Sequence, residues 1–164
     1  MSARAEPEAP SFCLVDQHGQ AVSEQSYLGQ YTLWFFGFTH CRVVCPRALE
    51  GLSNALDRIG LKSTRFKPLY VTIDPERDTP DVMRDFLQKW PRFTGLTGNA
   101  AELLRVRQSF RVFCERLDEG SSDYQIAHTS FTYVVDPRGQ FVDHWLAGSD
   151  VEQIAKLLRK FAGE

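Results

Sequence analysis

The stretch GFTHCRVVCP, residues 37–46, begins at the end of the apolar run YTLWFFGF, residues 31–38. A continuous apolar and aromatic run is typical of a strand that is buried on both faces. Pro46 indicates that a helix begins nearby, because proline fits the first helical turn and disfavours helical geometry in the residue before it. Beyond it, a helix face is spaced in steps of three and four: Leu49, Leu52, Leu56 and Ile59. The stretch is therefore a strand–loop–helix junction, and it carries two cysteines, Cys41 and Cys45.

The rest of the chain alternates strand and helix patterns around this junction. The predicted strands outside it are residues 12–16, 20–23, 66–74, 130–136 and 140–146. The later helices are predicted to begin at Thr79, at Asn99 and near Ser149 or Asp150. The helix after Thr79 is expected to bury Val82, and the helix after Asn99 is expected to reach Phe113.

A β-α-β unit followed by a β-hairpin and a last helix is the plan of thioredoxin. We therefore predict an α/β, thioredoxin-like three-layer fold with a central mixed sheet, helices on both faces and an N-terminal β-hairpin. In this plan the N-terminus of the first long helix lies at the carboxyl edge of the sheet. The two cysteines are placed at that edge.

Length and composition favour one globular domain. The chain has 164 residues, of which 43% are hydrophobic and 24% are charged. Residues 1–10, MSARAEPEAP, predict a disordered leader before a single domain at 11–164. The net charge of −2 gives no basis for binding nucleic acid or an anionic membrane. No apolar window approaches the roughly eighteen residues of a membrane-spanning helix, so we expect no membrane contact by this chain, and we expect a monomer.

The two cysteines of the junction are the first candidates for chemistry. We expect Cys45 in the loop just before the helix, with Cys41 facing it across that loop and both thiols exposed. The positive end of the helix dipole and the neighbouring Arg42 favour thiolate over thiol. Such a dithiol can form a disulfide or hold a soft metal ion. The alternative is that both are small core residues, as many cysteines are.

Among the four histidines, His128 is the best candidate for a third ligand. It precedes the strand at 130–136, and in thioredoxin-like folds the loop before that strand lies against the dithiol. Two thiolates and an imidazole suit copper, whereas zinc normally requires a fourth ligand. The alternative is that His128 caps a strand by hydrogen bonding.

The other chemistry-bearing residues are assigned structural roles. His40 is expected at the surface or behind the ligands, and His18 and His144 are expected to be structural. Core packing is expected for Cys13 and Cys114, although Cys114 could be semi-exposed and redox-active. The acids Asp74 and Asp78 follow the second buried strand, where ordering of the site loop competes with simple turn and capping roles. The residues of this set are His18, His40, His144, Cys13, Cys114, Asp74 and Asp78.

The chain resembles the Sco/SenC family. The resemblance rests on GFTHCRVVCPRAL, LYVTIDPERDTPDVMRDF, GLTG, Tyr124 four residues before His128, and FTYVVDPRGQF, which occur in the family's order. Members are thioredoxin-fold copper-binding proteins that help to assemble the dinuclear copper site of cytochrome c oxidase. The resemblance implies Cys41, Cys45 and His128 as ligands of one copper, Cu(I) or Cu(II), and a dithiol–disulfide cycle of the same cysteines. It also implies the copper-bearing oxidase subunit or another copper or thiol protein as partner.

The resemblance further implies a location on the periplasmic side of the bacterial inner membrane, in preference to the mitochondrial intermembrane space. The sequence departs from the family after the first cysteine, where Arg42 and Val43 replace the usual proline and aspartate. We expect this change to lower the pKa of the thiols and to alter the surface that a partner meets. Two alternatives stay open. The same dithiol could serve a thiol–disulfide oxidoreductase that reduces a partner's cysteines, and members of the family that serve copper homeostasis or redox signalling imply a copper- or redox-sensing protein. A peroxidase of the peroxiredoxin type ranks below both, because a second cysteine four residues along crowds the site.

Overall fold

The structure is a computed structural model that describes residues 11–42, 44–117 and 124–163. The leader predicted at 1–10 lies outside the described residues, as does Val43. The described strands are β1 (Cys13–Asp16), β2 (Ala21–Ser23), β3 (Tyr31–Gly37), β4 (Phe66–Thr72), β5 (Thr94–Thr97), β6 (Cys114–Leu117), β7 (Gln125–His128), β8 (Phe131–Val135) and β9 (Phe141–Leu146). The described α-helices are α1 (Val44–Ile59), α2 (Pro80–Leu87), α3 (Ala100–Ser109) and α4 (Val151–Ala162).

Seven of these strands form one mixed sheet in the order β2-β1-β5-β4-β3-β8-β9. The β3–β4 and β4–β5 pairs are parallel, whereas β8 runs antiparallel to β3 and β9 runs antiparallel to β8. β1 and β2 form the expected N-terminal hairpin. The predicted α/β, thioredoxin-like architecture with a central mixed sheet is therefore confirmed.

The central strand β3 is buried on both faces because its side chains alternate between two apolar clusters. Leu33 and Phe35 pack in the cluster that contains the buried faces of α1, α2 and α4. Trp34 and Phe36 pack in the other, with the buried face of α3. Helices thus cover both faces of the sheet, which gives the three layers. Within the described residues, no helix combines the length and apolar character that crossing a bilayer requires.

Some predicted element boundaries are wrong. The helix after Asn99 ends at Ser109 and does not reach Phe113, because Arg111 adopts a left-handed φ of 55° and turns the chain. Phe113 is consequently exposed. In α2 the buried stripe is carried by Met83 and Leu87, so that Val82 faces outward with 36% of its surface exposed.

Three short strands were not predicted. β5 lies between β1 and β4 in the sheet, where a direct passage from one helix to the next was expected. β6 and β7 pair with each other as a separate two-stranded sheet. His128, which was expected in a loop, is the last residue of β7. This hairpin, β6–β7, stands beside the carboxyl end of β3 and supplies part of the candidate site.

Candidate metal centre

The thiol-bearing segment leaves β3 at Gly37 and enters α1 at Val44. The backbone N–H of Cys41 donates to the carbonyl of Phe38 at 3.1 Å, which turns the chain back towards the sheet edge. The first N–H groups of a helix have no acceptor within the helix. One of them, the N–H of Cys45, donates to Sγ of Cys41 at 3.4 Å. The Cys41 sulfur therefore faces the first turn of α1.

The prediction that Cys45 precedes the helix is wrong, because α1 already includes it. Pro46 is tolerated one position later, since no N–H of the first helical turn needs an intrahelical acceptor. The prediction that both thiols are exposed is also wrong for Cys45, whose exposed fraction is 0%. Cys41 is only partly buried. No disulfide joins any of the four cysteines, all of which the structure describes.

The surroundings of Cys45 also contradict the expected thiolate. Its side-chain hydrogen bond to Cys41 and its burial raise the pKa of the Cys45 thiol. The hydrogen bond with Cys41 is the larger cause, and removal of the thiol from water adds to it because burial disfavours the charged form. The raised pKa favours the neutral thiol in the reduced, metal-free protein, and a metal ion that binds the sulfur would displace this proton to solvent.

His128 brings an imidazole to these sulfurs from 83 residues further along the chain. Its Nε2 atom lies 3.8 Å from Sγ of Cys45. Its Nδ1 atom is 3.1 Å from the carbonyl oxygen of Thr129, which can only accept a hydrogen bond. The proton therefore sits on Nδ1, and the lone pair of Nε2 is directed to the sulfurs. Phe35 and Phe38 pack against the ring at near-perpendicular angles of 79° and 80° and limit its rotation.

The three side chains fit a single metal ion. One ligand atom from each of Cys41, Cys45 and His128 lies within 4.8 Å of the others. Metal bonds of about 2.3 Å to sulfur and about 2.0 Å to nitrogen separate two ligand atoms by about 3.5–3.7 Å. The separation of 3.8 Å between Cys45 and His128 needs almost no adjustment.

A buried carboxylate behind the site holds the loop that leads to Cys41. Asp78 has an exposed fraction of 0% and accepts hydrogen bonds from the Thr39 N–H at 3.1 Å and the Thr39 hydroxyl at 2.5 Å. The Thr72 hydroxyl at the end of β4 donates to it at 2.7 Å. Burial raises the pKa of Asp78 despite these donors. Of the two roles weighed for Asp78, ordering of the site loop is the one that these contacts show.

The remaining candidates lie around this centre. His40 is exposed, with Nδ1 at 3.3 Å from the Thr39 hydroxyl, and does not join the sulfurs. His40 also groups with Asp74 and Asp78 within 4.8 Å, but both carboxylates already accept hydrogen bonds from other side chains. Arg42 is exposed beside Cys41. The structure thus brings together Cys41, Cys45 and His128 and leaves His40 outside.

Of the other two cysteines, Cys114 is semi-exposed and packs against an apolar cluster, as the prediction allowed, whereas the prediction for Cys13 is wrong. Cys13 was expected in the core but is exposed on β1. Cys114 is partly buried on β6, directly opposite His128 in the register of the hairpin, and its sulfur contacts the guanidinium of Arg107. The other histidines match the structural roles assigned to them, since His18 lies in a turn and His144 packs against aromatic rings on β9.

Sequence reasoning missed two residues that shape the site. Gly37 lies beneath both Sγ of Cys45 and the hydroxyl of Tyr70, and a Cβ at this position would come within 2.8 Å of each. A glycine at the end of a strand that is otherwise aromatic was the available signal. Tyr124 was noted only as part of a motif, but its hydroxyl donates a hydrogen bond to the buried Asp74.

The fold and the site define a class: thioredoxin-like proteins in which an imidazole joins the dithiol at the start of the first long helix. Comparison with known proteins gives the family. A family model described as SCO1/SenC matches residues 1–163. The chain belongs to the SCO1/SenC family.

The relatives support this assignment in sequence and in structure. The SCO2-like protein of Rickettsia felis is 34% identical over 151 residues, which are 90% of this chain and 74% of that protein. Bradyrhizobium japonicum ScoI, solved with copper bound, has a TM-score of 0.86 and 35% identity, covering 94% of this chain and 99% of that one. Yeast Sco1, also solved with copper bound, has a TM-score of 0.84 and 29% identity, covering 96% and 90%.

Proposed function

We propose that this protein is a copper metallochaperone that assists assembly of the dinuclear copper site of cytochrome c oxidase. Copper is its cargo, and Cys41, Cys45 and His128 hold one ion. The observation that carries the proposal is the approach of these three ligand atoms to within 4.8 Å of one another. The relatives from Bradyrhizobium japonicum and yeast, both solved with copper bound, support the choice of metal.

The donor set favours copper on chemical grounds. Two sulfur ligands suit the soft Cu(I) ion, and the imidazole nitrogen also suits Cu(II). The partial exposure of Cys41 gives a receiving protein access to one ligand, so that copper can pass by exchange of one bond at a time. The proposed receiver is the copper-bearing subunit of the oxidase or another copper or thiol protein.

We propose the periplasmic side of the bacterial inner membrane as the place of action. Relatives include bacterial proteins from Rickettsia and proteins whose names place them in mitochondria. The proposed active unit is the monomer.

The test is a copper titration of the reduced protein and its His128→Ala variant under anaerobic conditions. We expect one equivalent of copper to bind and the variant to bind more weakly by at least about 10- to 100-fold, the loss that removing a mere support of a metal ligand commonly causes. His144→Ala is the matched control, because that imidazole is exposed on β9, packs against aromatic rings and is not part of the group formed by the two sulfurs and His128. Unchanged copper affinity and stoichiometry in His128→Ala would contradict the proposed ligand set.

A second candidate function is reduction of a partner's disulfide. It is favoured by the arrangement of the thiols, since the partly exposed Cys41 is held next to Cys45 by the 3.4 Å hydrogen bond. In this reaction Cys41 and Cys45 lose two electrons and two protons and form a disulfide, while the partner's disulfide becomes two thiols. Insulin reduction that survives His128→Ala and is lost in Cys41→Ser and in Cys45→Ser is the expected result for a reductase.

A further inference from the structure

The hairpin β6–β7 needs an anchor if His128 is to reach the sulfurs. Its strands pair only with each other and add no strand to the seven-stranded sheet. Backbone hydrogen bonds of the main sheet therefore do not fix its position. Apart from its short covalent links to α3 and β8, the hairpin is held by side chains, and one buried contact stands out among those in the described part of the chain.

That contact is made by Tyr124, which immediately precedes β7 and has an exposed fraction of 4%. Its hydroxyl donates to Oδ1 of Asp74 at 2.6 Å. The other oxygen of this carboxylate accepts from Nε of Arg77 at 2.5 Å. The guanidinium groups of Arg77 and Arg116 cover the Tyr124 ring, each 3.5 Å from its centroid. Cation–π contact with two cations and a buried hydrogen bond to a carboxylate make this a strong attachment.

The receiving loop, residues 74–78, is attached to the thiol-bearing segment as well. Its two acids are tied by the hydrogen bond from the Asp78 N–H to the Asp74 carbonyl, 2.9 Å long. Asp78 then binds both the N–H and the hydroxyl of Thr39, two residues before Cys41. A single short loop therefore holds the segment with the sulfurs at one end and the hairpin with the imidazole at the other.

Tyr124 and His128 are mechanically connected through β7. Side chains four apart in a strand point to the same face, so both residues face the body of the protein. They lie about 13 Å apart along the strand, and a tilt of about 5° at Tyr124 moves His128 by about 1 Å. A displacement of this size is large compared with the tolerance of a metal–ligand bond.

We propose that Tyr124 is a positioning residue for copper, which sets the place of the His128 imidazole through its hydrogen bond to Asp74. The inference rests on the proposed function and adds a residue that lies outside the proposed ligand set. Tyr124→Phe is the decisive variant, because it removes the hydroxyl and keeps the ring between the two guanidinium groups.

We expect Tyr124→Phe to weaken copper binding about tenfold, as loss of an outer hydrogen bond to a metal site commonly does. The Cu(II) electron paramagnetic resonance spectrum should shift towards that of His128→Ala, because nitrogen coordination is weakened. The equilibrium between the dithiol and its disulfide, measured against dithiothreitol, should stay at the wild-type position, since the sulfurs are untouched. Tyr31→Phe, which removes a phenol at the opposite end of β3, should match wild type in all three measurements.

A double-mutant cycle separates a positioning role from a general loss of stability. If Tyr124 acts through His128, adding Tyr124→Phe to His128→Ala should weaken copper binding no further. An equal loss in both backgrounds, or no loss in the wild-type background, would overturn the inference while leaving the ligand role of His128 intact. No loss in His128→Ala itself would overturn the proposed ligand set, and the positioning role with it.

Discussion

Gly37 shows how tightly the space around Cys45 is filled. It is the last residue of β3, and a Cβ there would meet Sγ of Cys45 and the hydroxyl of Tyr70 at 2.8 Å each. A third contact, with a ring carbon of Tyr70, would be 2.9 Å. Both neighbours are buried and cannot move aside freely. The glycine is required here by lack of space, and the sulfur occupies its present position because no side chain stands in the way.

We therefore expect Gly37→Ala to lower the free energy of unfolding by about 1–3 kcal/mol, the usual effect of inserting a carbon into a packed core. It should also displace Cys45 and weaken copper binding. Urea unfolding and copper titration of the reduced protein measure the two effects. Gly51→Ala in α1 is the control, since its Cβ meets nothing within 4 Å and should add about 0.5–1 kcal/mol of stability. An alanine at position 37 that is as harmless as one at position 51 would contradict this account.

At the scale of elements, the loop at 74–78 carries an acid whose burial opposes folding. Burial raises the pKa of Asp78, so the folded protein binds this proton more tightly than the unfolded chain does. Ionisation of Asp78 therefore destabilises the folded state at neutral pH. That effect disappears as the pH falls through the folded-state pKa, because the carboxyl group becomes neutral in the folded protein.

The variants Asp78→Asn and Asp78→Ala test how the buried charge and its hydrogen bonds affect the stability of the protein. Asparagine is neutral and can still accept hydrogen bonds from Thr39 and Thr72. The free energy of unfolding of Asp78→Asn, relative to that of the wild type, should therefore be higher at about pH 7 than at about pH 4. Alanine leaves the buried donors without an acceptor and should cost about 1–3 kcal/mol for each. Urea unfolding of the reduced protein at both pH values gives the difference between variant and wild type. A difference for asparagine that is independent of pH, or that grows in acid, would show that the burial of charge is not what matters.

The sequence predicts those elements whose signal is local. The long apolar runs of β3 and β4 and the caps at Thr79, Asn99 and Asp150 are observed where they were expected. The strands β5, β6 and β7 are four residues each and lack a long apolar run, so they depend on partners that are distant in the sequence. Cys41, Cys45 and His128 could also be proposed as site residues from the sequence, but the burial of Cys45 could not be predicted from it. It depends on packing against Tyr70 and the hairpin.

At the scale of the whole molecule, the site joins parts of unequal stability. Cys41 and Cys45 are attached to β3 and α1, which lie at the centre of the fold. His128 is attached to β6–β7, whose backbone hydrogen bonds are shared by two short strands. An isolated two-stranded ribbon is marginally stable by itself. Local opening of the hairpin should therefore require less free energy than opening of the sheet.

Hydrogen–deuterium exchange followed by mass spectrometry tests this difference. In the reduced, metal-free protein, amides of β6 and β7 should exchange well before those of β3 and β4. Copper should slow exchange in β7, because a bond to His128 ties the hairpin to the body. Amides of β1, which is separated from β3 by two strands of the sheet, serve as the internal reference. Exchange in β7 that does not respond to copper would mean that the imidazole is not engaged.

The unequal exposure of the two sulfurs has a consequence for any reaction with another protein's cysteine. Cys41 reaches solvent, whereas Cys45 lies wholly inside. A partner's disulfide can be attacked only by Cys41, which forms a mixed disulfide with one partner sulfur and releases the other as a thiol. In the proposed reductase reaction, Cys45 would then attack this mixed disulfide from the interior, release the second partner thiol and close the Cys41–Cys45 disulfide, so that two residues of the same kind act in an order that the packing imposes.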